Sequence, residues 1–383
     1  MKTIREADLR DKTVFLRVDF NVPLKNGEVV DDNRIEKTIP TIKYLLDKKC
    51  KIIIATHLGK PKGQVVPALS TIPVARKLAK ELGHEVTATD HVIHPIVTQN
   101  IAKMKGGDIL FLGNLRWHVE EEDNSEVFAQ VLARYAEVYV NDAFGASHRA
   151  HASIDAITRF LPSYAGILLE SEITTLNLLL SNPKPPFYLV LGGAKIEDKL
   201  PMIENLAPKV EKILIGGAIG NTFLAAKGEN VSESLYEKEM FEKCEDYLKK
   251  FGDKILLPID TVKERVNDDQ FKIMDIGEQT ANEYASEIGR AGSVFWNGNM
   301  GFSEDPKYST GTNKIAHAIA NNGGTTVVAG GDTAGYLRQK NIEKGINFIS
   351  TGGGATLTFL AGKGLPGIEA LKKSQAMISE DRN

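Results

Sequence analysis

The stretch YLVLGGAKIEDKLP, residues 188–201, decides the fold of this chain. An apolar run typical of a buried strand ends in two glycines, and Lys195, Lys199 and Pro201 follow. Proline fits the first turn of a helix better than its interior, so we expect a helix to start near Asp198, a favourable N-cap. The stretch predicts a strand, a glycine turn and a helix, which is the repeating unit of a parallel α/β sheet.

The same alternation continues along the whole sequence. The apolar runs typical of strands are 13–20, 51–57, 108–113, 137–143, 187–193, 212–217, 254–260, 293–298, 325–331 and 347–354, and amphipathic runs with helical spacing separate them. We therefore predict an α/β protein with two Rossmann-like, doubly wound parallel-sheet domains joined by a connecting helix.

The predicted connecting helix lies near the middle of the chain. Leucine and isoleucine recur at helical spacing over residues 167–181, and the proline-rich segment SNPKPP (181–186) ends that pattern. We place the N-terminal domain at 1–166, the connecting helix at 167–182 and the C-terminal domain, with its polar tail, at 183–383.

Composition restricts the class of protein. The net charge is −3 and 42% of residues are hydrophobic, so no basic field attracts nucleic acid or a membrane surface. The two cysteines, Cys50 and Cys244, lie far apart without metal-ligand spacing. The charged N-terminus does not resemble a secretory signal, and no apolar run approaches the ~20 residues that span a bilayer. We expect a cytoplasmic protein.

Polar and cationic residues follow the strands of the N-terminal half. In RVDFNVP (17–23), Arg17, Asp19 and Asn21 occupy alternate positions of a strand that should be almost entirely apolar. A buried salt bridge is the favoured explanation for Arg17 alone, whereas Asp19 and Asn21 lie at the strand's carboxyl end, where a ligand would bind.

Other strand ends in this half carry positive or potentially positive groups. The residues concerned are His57 and Lys60, which flank Leu58 and Gly59 after one strand, Arg116 after another, Arg149 after a third, and Arg34 at a helix start. Arginine binds carboxylate and phosphate through two parallel hydrogen bonds. The combination predicts a site for a small, strongly anionic substrate.

Glycine-rich strand ends dominate the C-terminal half. They are LGGAK (191–195), IGGAIG (215–220), AGGDT (329–333) and STGGGAT (350–356). Helices that begin after such turns direct free N–H groups at an anion. Asp332 could hold Mg²⁺, and Glu304 could bind ribose hydroxyls beside Asn297. We expect a nucleotide site here, although neither standard glycine fingerprint for phosphate occurs in the chain.

A polyanion site in one half and a nucleotide site in the other favour phosphoryl transfer, which depends on positioning and charge neutralisation. Two alternatives remain open. A nicotinamide-dependent dehydrogenase would be expected to carry G-x-G-x-x-G after its first strand, and a two-lobed solute-binding protein would be expected to carry a secretory signal.

The chain also resembles the phosphoglycerate kinase family in motifs that occur in the family's order over nearly its whole length. They are RVDFNVP, HLGKP, NLRWH, NDAFGASHRAH, LGGAKIEDK, DIG, FWNG, GGDT and STGGGATLTFLAGKGLPGIEAL. The resemblance implies reversible phosphoryl transfer between 1,3-bisphosphoglycerate and MgADP, giving 3-phosphoglycerate and MgATP, in a monomer. Because the two sites lie on different domains while the reacting atoms must come within about 3–3.5 Å, we expect the domains to close around both ligands, bending near residues 167–181 and 350–360.

The resemblance also assigns roles to individual residues. For 3-phosphoglycerate it implies Asp19, Asn21, Arg34, His57, Leu58, Gly59, Lys60, Arg116 and Arg149. For the nucleotide it implies Lys199, Glu304 and the run from Ala329 to Thr333, which contains Gly330, Gly331, Asp332 and Thr333. The strand ends themselves add Gly192, Gly217 and Asn297 to this site and Asp332 as the metal ligand. For the transfer step the resemblance implies Lys195, Arg34, Gly353 and Gly354. Lys60, Gly113, Ala218 and Ala329 depart from the family's usual residues.

Overall fold

A computed structural model describes residues 1–380 and contains alternating strands and helices. The strands are β1 Thr13–Val18, β2 Leu24–Lys25, β3 Glu28–Val29, β4 Lys51–Ala55, β5 Thr87–Ala88, β6 Ile109–Phe111, β7 Val138–Asp142, β8 Ser163–Ala165, β9 Phe187–Leu191, β10 Lys212–Ile215, β11 Ile255–Leu256, β12 Thr261–Arg265, β13 Phe271–Ile276, β14 Ser293–Asn297, β15 Thr325–Ala329 and β16 Phe348–Ile349.

The α-helices begin with α1 Asn33–Asp47, α2 Ile72–Leu82, α3 Pro95–Lys103, α4 Val119–Glu122, α5 Glu126–Ala133, α6 Ile167–Ser181 and α7 Leu200–Leu206. They continue with α8 Gly217–Ala226, α9 Phe241–Phe251, α10 Glu278–Arg290, α11 Thr310–Ala320, α12 Gly331–Gln339, α13 Gly354–Leu360 and α14 Pro366–Glu380. None of the helices in the described part of the chain is long and apolar enough to cross a membrane.

Two compact units make up the chain. One is Met1–Thr174 together with the segment from Gly364, and the other is Thr175–Lys363. The domain boundaries predicted from the sequence assigned this C-terminal segment to the second unit. In the structure α14 packs against β8 of the first unit, and the N–H of Gly367 donates to the carbonyl of Ser147 at 3.0 Å. Residues 381–383 of the expected polar tail lie outside the described residues.

The sheet of the first unit is six-stranded and parallel, in the order β5-β6-β4-β1-β7-β8. Alternate residues of its central strand, Val14, Leu16 and Val18, belong to an apolar core that also contains residues of α1 and α2. Successive side chains of a strand point to opposite faces. Arg17 therefore lies on the face opposite that core.

A second six-stranded parallel sheet, in the order β11-β10-β9-β14-β15-β16, forms the centre of the other unit. Its buried core includes Tyr188, Val190, Val294 and Trp296 together with residues of α10, α11 and α12. The α/β class and the two parallel sheets flanked by helices are confirmed. Helix α6 spans Ile167–Ser181, where the sequence predicted a helix.

Each of the ten strands predicted from the sequence is present but ends earlier than predicted. Two of these strands end at a glycine, since Gly216 and Gly330 serve as the N-caps of α8 and α12 rather than extending β10 and β15. The edge strands β5 and β8 and the two hairpins β2–β3 and β12–β13 were not predicted from the sequence. The edge strands and β2–β3 have only two or three residues a strand, too few to show a period.

A buried carboxylate lies where β7 meets the start of α6. Oδ1 of Asp142 accepts from the N–H of Leu169 at 3.0 Å, while Oδ2 has no hydrogen-bond partner among the described residues. Burial raises the pKa of Asp142 to about 7, and the neighbouring Glu172 carboxylate acts in the same direction. The folded protein therefore holds a proton here that an unfolded chain would release in much more acidic solution.

We expect Asp142→Asn to stabilise the protein increasingly between pH 4 and pH 7. Over this range the native state binds more protons at Asp142 than the unfolded state does, so rising pH lowers the wild-type unfolding free energy by up to about 1.4 kcal/mol per pH unit. Asparagine does not titrate and keeps an acceptor for Leu169. Chemical denaturation of both proteins across this range measures the difference, which should level off above pH 8.

The matched control is Asp123→Asn, the same change at an exposed position of the same unit. Any pH dependence of the difference between Asp142→Asn and the wild type is judged against this control. A constant difference for Asp142→Asn between pH 4 and pH 8 would show that this carboxylate titrates in the folded protein as it does in the unfolded chain.

Candidate functional site

In the first unit, the residues that follow β1 contact the start of α1. The guanidinium of Arg34 donates to the Asp19 carboxylate at 2.9 Å and to the carbonyl of Asn21 at 3.2 Å. Asp19 is buried, whereas the Arg34 side chain is 30% exposed. The ion pair thus holds Arg34 at the carboxyl edge of the sheet with part of its side chain accessible.

The segment after β4 joins this group through backbone hydrogen bonds. The N–H of Gly59 donates to Oδ1 of Asn21 at 2.9 Å, and the carbonyl of Gly59 accepts from Arg116 at 2.9 Å. Asn114 fixes the preceding residue, since its side chain bonds both the N–H and the carbonyl of Leu58. Three strand ends therefore converge on one loop.

Two further arginines belong to the same cluster. Arg116 is buried in a 3₁₀ turn, Leu115–Trp117, and pairs with Glu122 at 3.3 Å. Burial lowers the pKa of Arg116, and the positive charge of Arg149 contributes to that lowering. Arg149 is half-buried and donates to His148 at 3.2 Å. Positive groups thus concentrate at one edge, as an anionic substrate requires.

Beneath these residues lies a buried ion pair. Arg17 and Glu121 are both fully buried and approach to 3.9 Å, which confirms the salt bridge that the sequence favoured for Arg17. Glu121 was not predicted from the sequence, because it occurs in the acidic run EEED (120–123), which is typical of a solvated surface. Only its burial distinguishes it from its neighbours.

The structure therefore brings most of the predicted substrate residues into one contact network. Asp19, Asn21, Arg34, Gly59 and Arg116 are linked directly, whereas His57 contacts Arg17, whose guanidinium lies 3.3 Å from Nδ1 of the ring. Lys60 is exposed and takes no part in the network. Burial and the charges of Arg17, Arg116 and Arg34 hold the pKa of His57 well below its usual range.

In the second unit, the ends of β9 and β14 contact each other closely. The N–H groups of Gly192 and Gly193 donate to the carbonyls of Asn297 and Asn299 at 3.0 and 2.8 Å. Gly217 has φ +61°, and a Cβ placed on it would lie 2.6 Å from the backbone nitrogen of Gly193. Glycine is therefore required where β9 and the start of α8 approach each other.

A cavity of about 620 Å³ opens beside these turns. Predicted nucleotide residues that line it are Lys199, Gly217, Asn297, Glu304, Gly330, Gly331, Asp332 and Thr333, and apolar residues such as Leu235, Met274 and Phe302 line it as well. Thr333 accepts from the N–H of Gly298 at 3.0 Å, and Asn297 donates to the carbonyl of Ala329 at 2.9 Å. The volume and mixed lining suit a nucleotide-sized ligand.

Four predicted residues of this unit, Lys195 among them, are not among those that line the cavity. Gly192 lies behind it in the contact with β14, and Gly353 and Gly354 form the start of α13. Helix α13 packs against α7, and Asn205 of α7 donates to the carbonyl of Leu360 at 2.8 Å. The glycine-initiated helix starts at α8, α12 and α13 agree with the prediction.

The position of α7 corrects the expected helix start. The N-cap is Lys199 rather than Asp198, and α7 begins at Leu200, so Lys199 precedes the first turn instead of lying in it. Its buried ammonium donates to the carbonyl of Lys195 at 3.1 Å, and burial lowers its pKa. Lys195 itself is exposed in the loop. The two lysines therefore occupy different environments.

Asp332 fits the requirements of a Mg²⁺ ligand. Its carboxylate is exposed in the first turn of α12 and lines the cavity, and within residues 1–380 no hydrogen bond or ion pair engages it. Mg²⁺ commonly takes one or two protein carboxylates together with substrate phosphates and water. No group of three potential metal ligands occurs in the described residues, so the rest of the coordination would come from the ligand and water.

The part of the cavity wall formed by the β12–β13 hairpin was not predicted from the sequence. Met274 and Asp275 of β13 line the cavity, and Asp275 is buried, with its carboxylate accepting from the N–H of Gly311 at 2.7 Å. Burial raises the pKa of Asp275 to about 6. The polar run NDDQ (267–270) between β12 and β13 gave no sign that the residues beside it would line a pocket.

Comparison with known proteins gives consistent results. The family model described as phosphoglycerate kinase matches residues 4–363. A phosphoglycerate kinase of Moorella thermoacetica is 43% identical over 386 residues, covering 96% of this chain and 98% of that protein. One of Coprothermobacter proteolyticus is 42% identical over 387 residues, covering 97% and 98%.

Solved structures agree with these relatives. Phosphoglycerate kinase from Pyrococcus horikoshii matches with a TM-score of 0.89 at 31% identity, covering 98% of this chain and 100% of that one. The enzyme from Coxiella burnetii matches with a TM-score of 0.84 at 32% identity, covering 97% and 98%. None of these comparisons supports a nicotinamide-dependent dehydrogenase.

The contact at Gly217 leads to a testable prediction. We expect Gly217→Ala to lower the free energy of unfolding by about 2–4 kcal/mol, since the methyl group adds a backbone clash to the strain of positive φ. It should also weaken binding to the adjoining cavity. Gly228→Ala, at the other end of α8, is the matched control, because Gly228 has φ +84° and open space around its Cβ position.

Gly228→Ala should therefore cost only about 1–2 kcal/mol, the strain of the backbone itself, and leave nucleotide affinity unchanged. Denaturation curves and nucleotide titrations of the two variants provide the comparison. Equal losses of stability and affinity would mean that the approach of Gly217 to Gly193 does not shape the cavity.

Proposed function

The chain belongs to the phosphoglycerate kinase family, and we propose that its two units divide the substrates of that family's reaction between them. It is a kinase of glycolysis. In our proposal the first unit binds 3-phosphoglycerate or 1,3-bisphosphoglycerate, and the second binds ADP or ATP. The observation that carries the proposal is the separation of an arginine-rich network in one unit from a glycine-lined cavity in the other.

The charges of the first unit support the assignment of the acid substrate. Arg34, Arg116 and Arg149 supply guanidinium groups that match carboxylate and phosphate geometry. Asp19 and Asn21 hold Arg34, and Leu58 and Gly59 shape the neighbouring loop. We propose that His57 also contacts the acid substrate. Lys60 would act as an exposed point charge that draws the anion towards the site without fixing its orientation.

The cavity supports the assignment of the nucleotide. The N-termini of α8 and α12 and the buried ammonium of Lys199 favour phosphate groups. The exposed Glu304 carboxylate offers acceptors for ribose hydroxyls, and the apolar wall suits a base. Asp332 would hold Mg²⁺, which neutralises phosphate charge when bound.

The transfer step needs no general base. A carboxylate oxygen of 3-phosphoglycerate, already ionised at pH 7, forms a bond to the γ-phosphorus of ATP as the bond to the ADP oxygen breaks. We propose that Arg34, Lys195 and the backbone of Gly353 and Gly354 stabilise the charge on the moving group. No covalent enzyme intermediate is required.

The assignment of the substrates to different units implies movement. Reacting atoms must come within about 3–3.5 Å, so we propose that the units close around both ligands, bending near residues 167–181 and 350–360. We further propose a cytoplasmic monomer. Both cysteines are free and buried, as a reducing compartment allows, and one chain supplies every residue of the two proposed sites.

The two lysines of the opening stretch provide the sharpest test. The wild type should form ADP from MgATP and 3-phosphoglycerate. Lys195→Ala should lower kcat about 100-fold with little change in the KM for MgATP, because Lys195 is exposed in a loop and free to follow the moving group. Lys199→Ala should raise the KM for MgATP about tenfold, since a buried cation beside the glycine turns is lost.

Lys249→Ala, a change of the same kind at a 74% exposed position of α9, should behave as the wild type. Steady-state kinetics with ADP detection measures all four proteins. If both substitutions in the loop raised only the KM for MgATP, Lys195 would be a binding residue. If the wild type bound both ligands without forming ADP, the proposed reaction would be wrong.

A further inference from the structure

A chain of buried polar contacts connects α4 to the candidate acid site. Oε1 of Glu121 accepts from the hydroxyl of Ser153 at 2.6 Å, and Oε2 accepts from the N–H of the same residue at 2.9 Å. The Ser153 hydroxyl in turn accepts from Nε of Arg17 at 2.8 Å. Glu121, Ser153 and Arg17 are all fully buried, so neither charge is solvated by water.

The guanidinium of Arg17 has a fixed place at the end of this chain. One terminal nitrogen donates to the carbonyl of Val18, and the other lies 3.9 Å from Oε1 of Glu121 and 3.3 Å from Nδ1 of His57. The N–H groups of Arg17 therefore serve the carboxylate, the serine, the backbone and the histidine together. Moving the guanidinium would break several of these contacts at once.

The contact between Arg17 and His57 determines which nitrogen of the imidazole carries the proton. A guanidinium donates hydrogen bonds and accepts none, so Nδ1 must offer its lone pair. In a neutral imidazole the single proton then lies on Nε2. Charging the ring would place an N–H of Nδ1 against the N–H groups of Arg17, which repel it.

We propose that Glu121 is a positioning residue for substrate binding: through Ser153 and Arg17 it holds His57 as the neutral Nε2–H tautomer, so that Nε2 donates one hydrogen bond to the anionic substrate. The inference rests on the proposed role of His57 in the 3-phosphoglycerate site. In this inference His57 contributes an oriented hydrogen-bond donor to substrate binding rather than a positive charge. The inference also gives a function to Glu121, whose carboxylate contacts none of the predicted substrate residues.

The other charged groups around His57 act in the same sense. Arg17 faces the ring from β1, Arg116 from the 3₁₀ turn Leu115–Trp117, Arg34 from α1 and His151 from the loop after β7, and each lowers the pKa of His57 together with burial. His151 is itself 3.9 Å from Glu121, and burial together with the charges of Arg116, Arg17 and Arg149 lowers its pKa to about 3. Substrate binding should therefore show no titration of His57 between pH 5.5 and 8.

The direct test is NMR of the full chain labelled with ¹⁵N in histidine. We expect the wild-type His57 ring to show a protonated Nε2 and an unprotonated Nδ1 from pH 5.5 to 8, and its signals to shift when 3-phosphoglycerate is added. A charged ring or an Nδ1–H tautomer at pH 7 would overturn the proposal without any variant.

Glu121→Gln removes the charge and keeps the shape of the side chain. We expect it to release Arg17, to give a mixture of His57 tautomers and to raise the KM for 3-phosphoglycerate about tenfold, with the KM for MgATP unchanged. Glu120→Gln is the matched control, since Glu120 is the adjacent, exposed glutamate of the same helix, and it should behave as the wild type.

Ser153→Ala serves if Glu121→Gln does not fold, because it removes the connecting hydroxyl and leaves both charges in place. It should shift the tautomer and the KM in the same direction by about threefold to tenfold. Wild-type tautomer and KM in a folded Glu121 or Ser153 variant would overturn the inference alone. If the His57 signals of the wild type did not shift when 3-phosphoglycerate is added, that result would instead contradict the proposed substrate site.

Discussion

The backbone pairing of parallel strands is the constraint on which both candidate sites depend. In the first unit, Arg17 of β1 pairs with Ala55 of β4 on one side and Asn141 of β7 on the other. In the second, Leu191 of β9 pairs with Ile215 of β10 and Asn297 of β14. This register brings three strand ends to one level in each sheet, so residues far apart in sequence leave the sheet together.

Both groups of strand ends lie where the strand order reverses direction. In the first unit β4 lies on one side of β1, and β7, which comes later in the chain, lies on the other. In the second unit β10 lies on one side of β9 and the later β14 lies on the other. Such points leave a crevice between diverging loops. The two units then differ in chemistry, because arginines and a histidine occupy the loops of one and glycines and lysines those of the other.

Much of this arrangement could be predicted from the sequence, since periodicity identified the central strands and α6, and the motifs identified the strand-end residues. The exact start of α7 could not, because Asp198 is a favourable N-cap by type while the structure uses Lys199. The docking of α14 on the first unit depends on contacts distant in sequence. Glu121 could not be recognised for the same reason, because its buried contacts are with Arg17 and Ser153, which are distant in sequence.

The central claim is that each unit carries a complete binding site for one substrate. Hydrogen–deuterium exchange of the full chain, read by mass spectrometry with one ligand at a time, tests it most directly. The account predicts that 3-phosphoglycerate alone slows exchange in the loops after β1, β4 and β6, and that MgADP alone slows it at residues 192–199, 216–218 and 330–333. The account would be contradicted if 3-phosphoglycerate slowed exchange only in the loops of the second unit, or if MgADP slowed it only in the loops of the first.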